Sequence, residues 1–587
     1  MGRVGAAGPS RRQFLAGAAV VGAGLLPRPA RARAGGPKVA IVGGGIAGLT
    51  CALKLADRGI ESTVYEASGR VGGRMFSNSN YFAGGQIAEW GGELIDSGHQ
   101  TVRRLAKRFG LPLDDMQAAQ PAGSVDLFHF FGSYYPKAQA ELDFAPVFEA
   151  VAADEAAAPF PTLYDAFTPA GLALDQMSIY DWIESRVPGG HDAPLGALLD
   201  AAYAIEYAAD TSHQAALNLI YLLAFQPAEG ELAIFGESDE KFRIRGGNQR
   251  LPERIADELG ERVVSGHRLA RLARTAGGRY RLDFERAAST VEITADYVVL
   301  ALPFAVLRDV DTDKAGFDAL KDLAIQTQGA GRSGKLNVQF DERVWRGAGP
   351  WPGAGNGSSY SDTGYQGTWE STRAQPGACG ILTFFSGGSV ADAMRSTSAF
   401  ATASSAAVRD DVAQALAQTA PVYPGLAAQY NGRATQSLPH KSPFFKSSYA
   451  YYQPGQYTSF AGHEAARQGG VFFCGEHTSI EFQGFMEGGA AEGKRAARQL
   501  AKLIEGNAFV EAEGEEADAE TVDAAEGEGA GLGAAGVGPL LAAPVVPCGE
   551  VAARPEGAPG ARARRPRRRS GQSELARRAE RSLNASP

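Results

Sequence analysis

Val39–Val42 is an unbroken apolar run, the pattern of a strand buried on both faces of a parallel sheet. Glycines follow at Gly43, Gly45 and Gly48. Apolar residues then recur at Ile46, Leu49, Ala52, Leu53 and Leu55, a spacing that predicts a helix with one inner face. A second strand over 62–65 ends in Glu66, and a helix over 100–109 stops at Gly110. Strand and helix patterns return at 249–302: a helix at 249–259, a short strand at 262–264, a hairpin over 279–285 and 290–294, and a buried strand at 297–302. They return once more as a strand at 471–474 and a helix to about residue 504. Between these blocks the pattern changes. Residues 116–235 show helical patches at 142–157, 178–186, 194–208 and 212–225, and 304–464 hold candidate strands, among them 336–340 and 381–386. The fold class is α/β. One discontinuous domain (35–115, 236–303 and 465–505) is interleaved with an α+β domain (116–235 and 304–464).

The first block carries candidate chemistry. Gly43, Gly45 and Gly48 fit G-x-G-x-x-G between a strand and a helix. Such glycines allow a tight turn, close backbone approach to a pyrophosphate, and helix–strand packing. The helix N-terminus that follows favours an anion. Glu66 lies near the offset of about 20 residues at which an acid accepts ribose hydroxyls. Arg70, Gly72, Gly73 and Arg74 then read R-x-G-G-R, and Gly91-Gly92 calls for close backbone approach to something bulky. Far along the chain come Gly475-Glu476-His477-Thr478 and Gly484-Phe485-Met486-Glu487-Gly488-Gly489.

With these motifs the chain resembles the flavin monoamine oxidase family over about 35–505. The resemblance implies a Rossmann-like, glutathione-reductase-like FAD-binding domain and a separate substrate domain. It implies that FAD is held by Gly43, Gly45, Ile46, Ala47, Gly48, Glu66, Ala67, Arg70, Gly73, Arg74, Gly91, Gly92, Glu93, Val263, Gly475, Glu476, Gly484, Phe485 and Met486. Arg70 and Arg74 would face the phosphates, the Val263 backbone the adenine, and the helix after Phe485 the flavin pyrimidine.

Three residues are candidates for chemistry. In 335–340, alternation puts Lys335, Asn337 and Gln339 on one strand face, which by itself describes a solvated face. The resemblance implies instead that Lys335 holds a water beside the flavin and handles protons and oxygen. It also implies an aromatic pair flanking the substrate amine: Phe485 and, before Pro454-Gly455, Tyr449, with Tyr451 as the alternative. Ser447 and Ser448 stand where covalently flavinylated relatives carry a cysteine, so FAD is expected to bind non-covalently. Leu94 stands where L-amino acid oxidases carry an arginine for the substrate carboxylate. The expected reaction is oxidative deamination of a small amine with molecular oxygen, yielding hydrogen peroxide. An L-amino acid oxidase or desaturase on the same fold, and a non-catalytic FAD-binding protein, are the alternatives.

Composition changes this picture little. The 587 residues are 44% hydrophobic and 21% charged with a net charge of −9, which gives no reason to expect a nucleic-acid partner. Cys51, Cys379, Cys474 and Cys548 show neither metal spacing nor a disulfide framework, and no histidine cluster suggests a metal. The ends are different. Ser10-Arg11-Arg12-Gln13-Phe14-Leu15, an apolar run over 14–26 that is too short to span a membrane, and two A-x-A sites make 1–34 a twin-arginine signal. Export by that machinery, to the periplasm or medium, is expected. Residues 506–587 are acidic, then small and apolar, then Arg- and Pro-rich, and are expected to be a disordered tail.

Overall fold

A computed structural model describes residues 36–506 apart from Glu229 and Ala288. The expected leader, and the expected tail from residue 507 onward, lie outside the described residues. The elements that frame the site are, in chain order, β1 (Val39–Val42), α1 (Ile46–Ala56), β2 (Ser62–Tyr65), α2 (Gln100–Arg108), β3 (Ser124–Phe130), α3 (Pro194–Glu206), β4 (Val263–Val264), β5 (Tyr297–Leu300), β6 (Ser333–Phe340), β7 (Gly380–Gly387), β8 (Val471–Phe473) and α4 (Met486–Glu505).

β1 is the central strand of a five-stranded parallel sheet ordered β8-β5-β1-β2-β4. Val39 and Ile41 share a core with Leu49 and Leu53 of α1 and Leu500 of α4. Ala40 and Val42 join Leu272, Leu282 and Phe284, which come from a second, four-stranded sheet. Both faces of β1 are therefore covered, which is why its sequence does not alternate. The expected hairpin belongs to that second sheet, with Tyr280 opposite Ala295.

A nine-stranded sheet makes the other wall. Its main path runs Phe400–Thr402, Tyr430–Ser437, β6, β7, Gly367–Glu370, Ala354–Ser361, β3 and Ser133–Tyr135. Helices Lys137–Ala157, Ile179–Arg186, α3 and Ala216–Leu223 share one apolar core beside it. Two strands at 124–135 stand beside the helical patches expected in 116–235. β3 pairs antiparallel with the adjacent Ser133–Tyr135 and in parallel with Ala354–Ser361, for instance Phe128 with Tyr360, so one of its two partners lies far away in sequence.

The cysteines also differ from expectation. Cys51 and Cys474 are buried and free, whereas Cys379 is disulfide-bonded. Among the described residues no helix is long and apolar enough to cross a membrane, and no group of His, Cys, Asp and Glu could hold a metal ion.

Candidate active site

A cavity of about 300 Å³ runs between the parallel sheet and the nine-stranded sheet. One end is built of backbone. Gly45 caps α1 with no side-chain bond, and the first turn holds no acid, so its N–H groups stay open to an anion. The Gly72 N–H donates to Gly44 O at 2.8 Å and ties the second glycine turn against the first. A Cβ built on Gly73 would lie 3.3 Å from Gly45 Cα, so side chains here would fill the slot. Glu66 closes this end: its Oε2 accepts from Gly44 N at 2.7 Å, and its Oε1 from Ser68 N at 2.8 Å and Ser68 Oγ at 2.6 Å.

Arg74 and Glu476 join the two ends of the chain. The Arg74 guanidinium donates to Glu476 Oε1 and to Ser448 O, both at 2.8 Å. Burial pushes the Glu476 carboxyl up, but Arg74 beside it holds it below the usual carboxylate range. Glu476 Oε2 also accepts from Gly484 N at 2.9 Å, which fixes the turn leading into α4. Gly91 is required by crowding: a Cβ there would sit 1.9 Å from Arg74 O.

At the other end, register assembles a wall. Lys335 of β6 lies opposite Ser437 on one side and Phe385 of β7 on the other. Trp369 lies opposite Thr383, two residues from Phe385, and so shares that face. Ser437, Lys335, Phe385 and Trp369 all line the cavity. Lys335 Nζ donates to Gly91 O at 2.8 Å and to Glu93 Oε2 at 3.0 Å. Despite burial, which raises it, Glu93 is held below the usual range by Lys335 and Arg243. The polar face of β6 is not solvated: all eight residues of the strand are buried. Asn337 Nδ2 donates to Glu89 O at 3.1 Å, and Gln339 Nε2 to Ala83 O at 3.0 Å.

Tyr449 and Phe485 also line the cavity. The Tyr449 hydroxyl donates to Ile205 O at 2.6 Å, which pins its ring beside the end of α3. Tyr451, the alternative, is absent from the lining; it pairs with Gly329 instead.

Eighteen of the twenty-one site residues expected from sequence line this cavity, and Gly48, Arg70 and Val263 do not. Gly48 packs inward, where a Cβ would meet Gly43 O at 2.0 Å. Arg70 turns away from the phosphate slot. Its guanidinium donates to Gly73 O at 2.7 Å and lies 3.8 Å from the Phe76 ring centroid. Val263 is one strand away, paired with Val64, and His267, Arg268 and Leu269 line the cavity instead.

Sequence reasoning missed Trp369, Phe385, Tyr207, Asp96, Glu206, Glu240 and His477 in the lining. His477 adjoins a motif that was read, so proximity was a signal for it. Burial drives it down to about 3, and neither ring nitrogen has a hydrogen-bond partner.

These walls fit a flavin dinucleotide. An uncapped helix end and two facing glycine turns suit a pyrophosphate. Glu93 Oε1, Trp369 Nε1 and the two His477 nitrogens are buried polar atoms without a hydrogen-bond partner. All belong to cavity-lining residues, as an unpaired surface awaiting a polar ring should.

Comparison with known proteins agrees. The chain is 23% identical to a pseudooxynicotine dehydrogenase of a Pseudomonas species over 85% of this chain and 97% of that one. It is 23% identical to a flavin-containing amine oxidase of Danio rerio over 79% of this chain and 85% of the other. In fold it is similar to the cyclohexylamine oxidase of Brevibacterium oxydans, with a TM-score of 0.66, 18% identity, and coverage of 80% of this chain and 100% of that one. Residues 46–501 match the family described as flavin containing amine oxidoreductase, and the chain belongs to that family.

Proposed function

We propose that this chain is an exported, FAD-dependent amine oxidase that oxidises a small amine at the carbon bearing nitrogen, with oxygen as acceptor. The imine hydrolyses to a carbonyl compound and ammonia or a smaller amine, and oxygen is reduced to hydrogen peroxide. The observation that carries this reading is an aromatic compartment, walled by Trp369, Phe385, Tyr449 and Phe485 and containing Lys335, continuous with the dinucleotide slot.

Bound FAD would supply the two-electron acceptor. The turn from β1 to α1 and Gly73 would hold its pyrophosphate, Glu66 its ribose, and the N-terminus of α4 its ring. The aromatic walls exclude water and so favour the neutral, oxidisable amine over the ammonium. Lys335 Nζ has three N–H bonds and spends two on Gly91 O and Glu93 Oε2. The third remains to hold a water and to stabilise negative charge. No cysteine among the described residues lines the cavity, which supports non-covalent FAD.

The amino acid oxidase reading needs a cation for the substrate carboxylate. Among the described residues the lining cations are Arg74, Arg268 and Lys335, each paired with a carboxylate. Leu94 lines the cavity as well and offers none. Export rests on the twin-arginine pattern at Arg11 and Arg12. The test is a panel of amines and L-amino acids mixed anaerobically with the flavoprotein, scored by bleaching, followed by readmission of oxygen. Amines should bleach the flavin, and oxygen should restore it with one peroxide per turnover. Bleaching by amino acids alone, or by nothing, overturns the reading.

A further inference from the structure

We propose that Glu487 sets the potential of the bound flavin: its carboxylate opposes the helix end that faces the flavin ring, and the N-terminus of α2 limits that opposition. The inference goes beyond the reaction proposed above and needs only that the chain binds a flavin. Glu487 is the second residue of α4 and the one acid in its first turn. Met486 and Gly489, on either side of it, line the cavity. Glu487 turns the other way and is only 2% exposed.

Its carboxylate serves another helix. Glu487 Oε1 accepts from Thr101 N and Oε2 from Val102 N, both at 2.8 Å. These N–H groups belong to the first turn of α2, which has no acid of its own and whose N-cap residue, His99, makes no side-chain bond to it. The donors just before them close locally, His99 N onto Asp96 O at 3.1 Å and Gln100 N onto Gly98 O at 2.8 Å. Glu487 thus satisfies the two remaining N–H groups that the start of α2 would leave without an acceptor. The His99 ring also packs on Phe485, with centroids 5.2 Å apart, so the same helix end rests on the residue that caps α4.

Two opposed fields follow from this arrangement. The N-terminus of α4 carries partial positive charge, about half an elementary charge, which stabilises negative charge on a reduced ring. Phe485 caps that helix with no side-chain bond, so its first N–H groups remain for a ligand. The carboxylate of Glu487, inside the same first turn, works against this field. Among the described residues no cation pairs with it, and burial drives the adjacent His99 imidazole down to about 4, which keeps it neutral. Its charge is met instead by the backbone N–H groups and dipole of α2, which compensate it in part. Burial keeps salt from screening the remainder. A bare helix end would hold reduced flavin more tightly. Glu487 lowers the potential and so favours handing the electrons on to an acceptor.

The test reads the two-electron midpoint potential of the purified flavoprotein by equilibration with reference dyes, together with Tm and FAD content. No amine is used, so a failure of the amine-oxidase reading leaves the result untouched. Glu487→Gln keeps the side-chain length and removes the charge. Reduced flavin should then be favoured over oxidised flavin at least about tenfold more than in wild type, a rise of about 30 mV for a two-electron couple. Glu487→Asp keeps the charge but withdraws it from α2 towards α4, so its potential should fall below that of wild type. A role in packing alone would lower Tm in both variants and leave both potentials within about twofold of wild type on the same scale. That outcome overturns the proposal, as does a shift of the same sign in both. If Glu487→Gln fails to hold FAD, Glu487→Asp decides alone: a lower potential supports the proposal, and an unchanged or higher one overturns it. Loss of FAD from both variants would mark a purely structural residue and overturn it as well.

Discussion

Lys335 is the residue at which sequence and geometry make the sharpest demand. Lys335→Met keeps most of the side-chain length and removes the charge and donors. Glu93 would keep Arg243 at 3.6 Å, so folding and FAD binding should survive. Reoxidation by oxygen should slow by roughly a hundredfold, the usual effect of removing one electrostatic donor where charge develops. Phe485→Ala should instead slow mainly the amine half-reaction, because it opens the compartment wall. Stopped-flow on both half-reactions separates them, and a change under about twofold in both would return Lys335 to a packing role. Glu206 yields a different expectation. Its folded pKa of about 7 lies above the ordinary carboxylate value, so the folded state is penalised as pH rises from about 4.5 to 7 and by a constant amount beyond. Glu206→Gln should therefore gain at least about 2 °C in Tm relative to wild type between pH 5 and pH 8, without substrate; no such drift would mean that Glu206 stays hydrated. Residues such as Gly45 and Glu66 were legible in the sequence because a local backbone requirement dictates them. Trp369, Phe385 and Glu206 were not, since only strand register and the end of a helix bring them to the cavity.

At the scale of elements, the contact between α1 and α4 fixes both helix N-termini that face the cofactor slot. It depends on small residues. A Cβ on Gly493 would lie 2.2 Å from Ala47 O, a backbone atom that cannot rotate away. Gly493→Ala should cost about 1–3 kcal/mol by overpacking, lower Tm and loosen FAD. Gly69→Ala, where a Cβ meets nothing within 4 Å, should do neither. Thermal melts with flavin fluorescence compare the two, and equal behaviour would disprove the packing argument. The helices and parallel strands of the cofactor half were readable from periodicity to within a few residues, whereas the helices at Pro169–Gln176 and Ala406–Thr419 were not read. α3 stops at Glu206 rather than 208, and Ala208 takes a left-handed φ of 54°. Strand β3 enters the nine-stranded sheet through a partner about 230 residues away, and its local partner, Ser133–Tyr135, is only three residues long.

For the molecule as a whole, the expectation is that acid denaturation releases all of the flavin as free FAD. Absorbance that stays with the precipitated polypeptide would show a covalent bond. The paired motifs at both ends of 36–506 made the cofactor half legible, because each motif answers to the same ligand. The substrate half has no shared ligand motif, and its acids and aromatics meet only after folding.

The strand order carries a consequence for synthesis. β8, at 471–473, lies beside β5 in the sheet whose centre is β1, and Glu476 reaches back to Arg74. A ribosome must therefore have made nearly the whole described chain before the flavin slot is complete. Nascent chains stopped short of Val471 lack that strand and Glu476, so they are expected to hold the cofactor poorly. An amine oxidase that crosses a membrane already folded would thus carry its flavin from the compartment where it was translated, and vitamin supply there would set how much active enzyme appears outside.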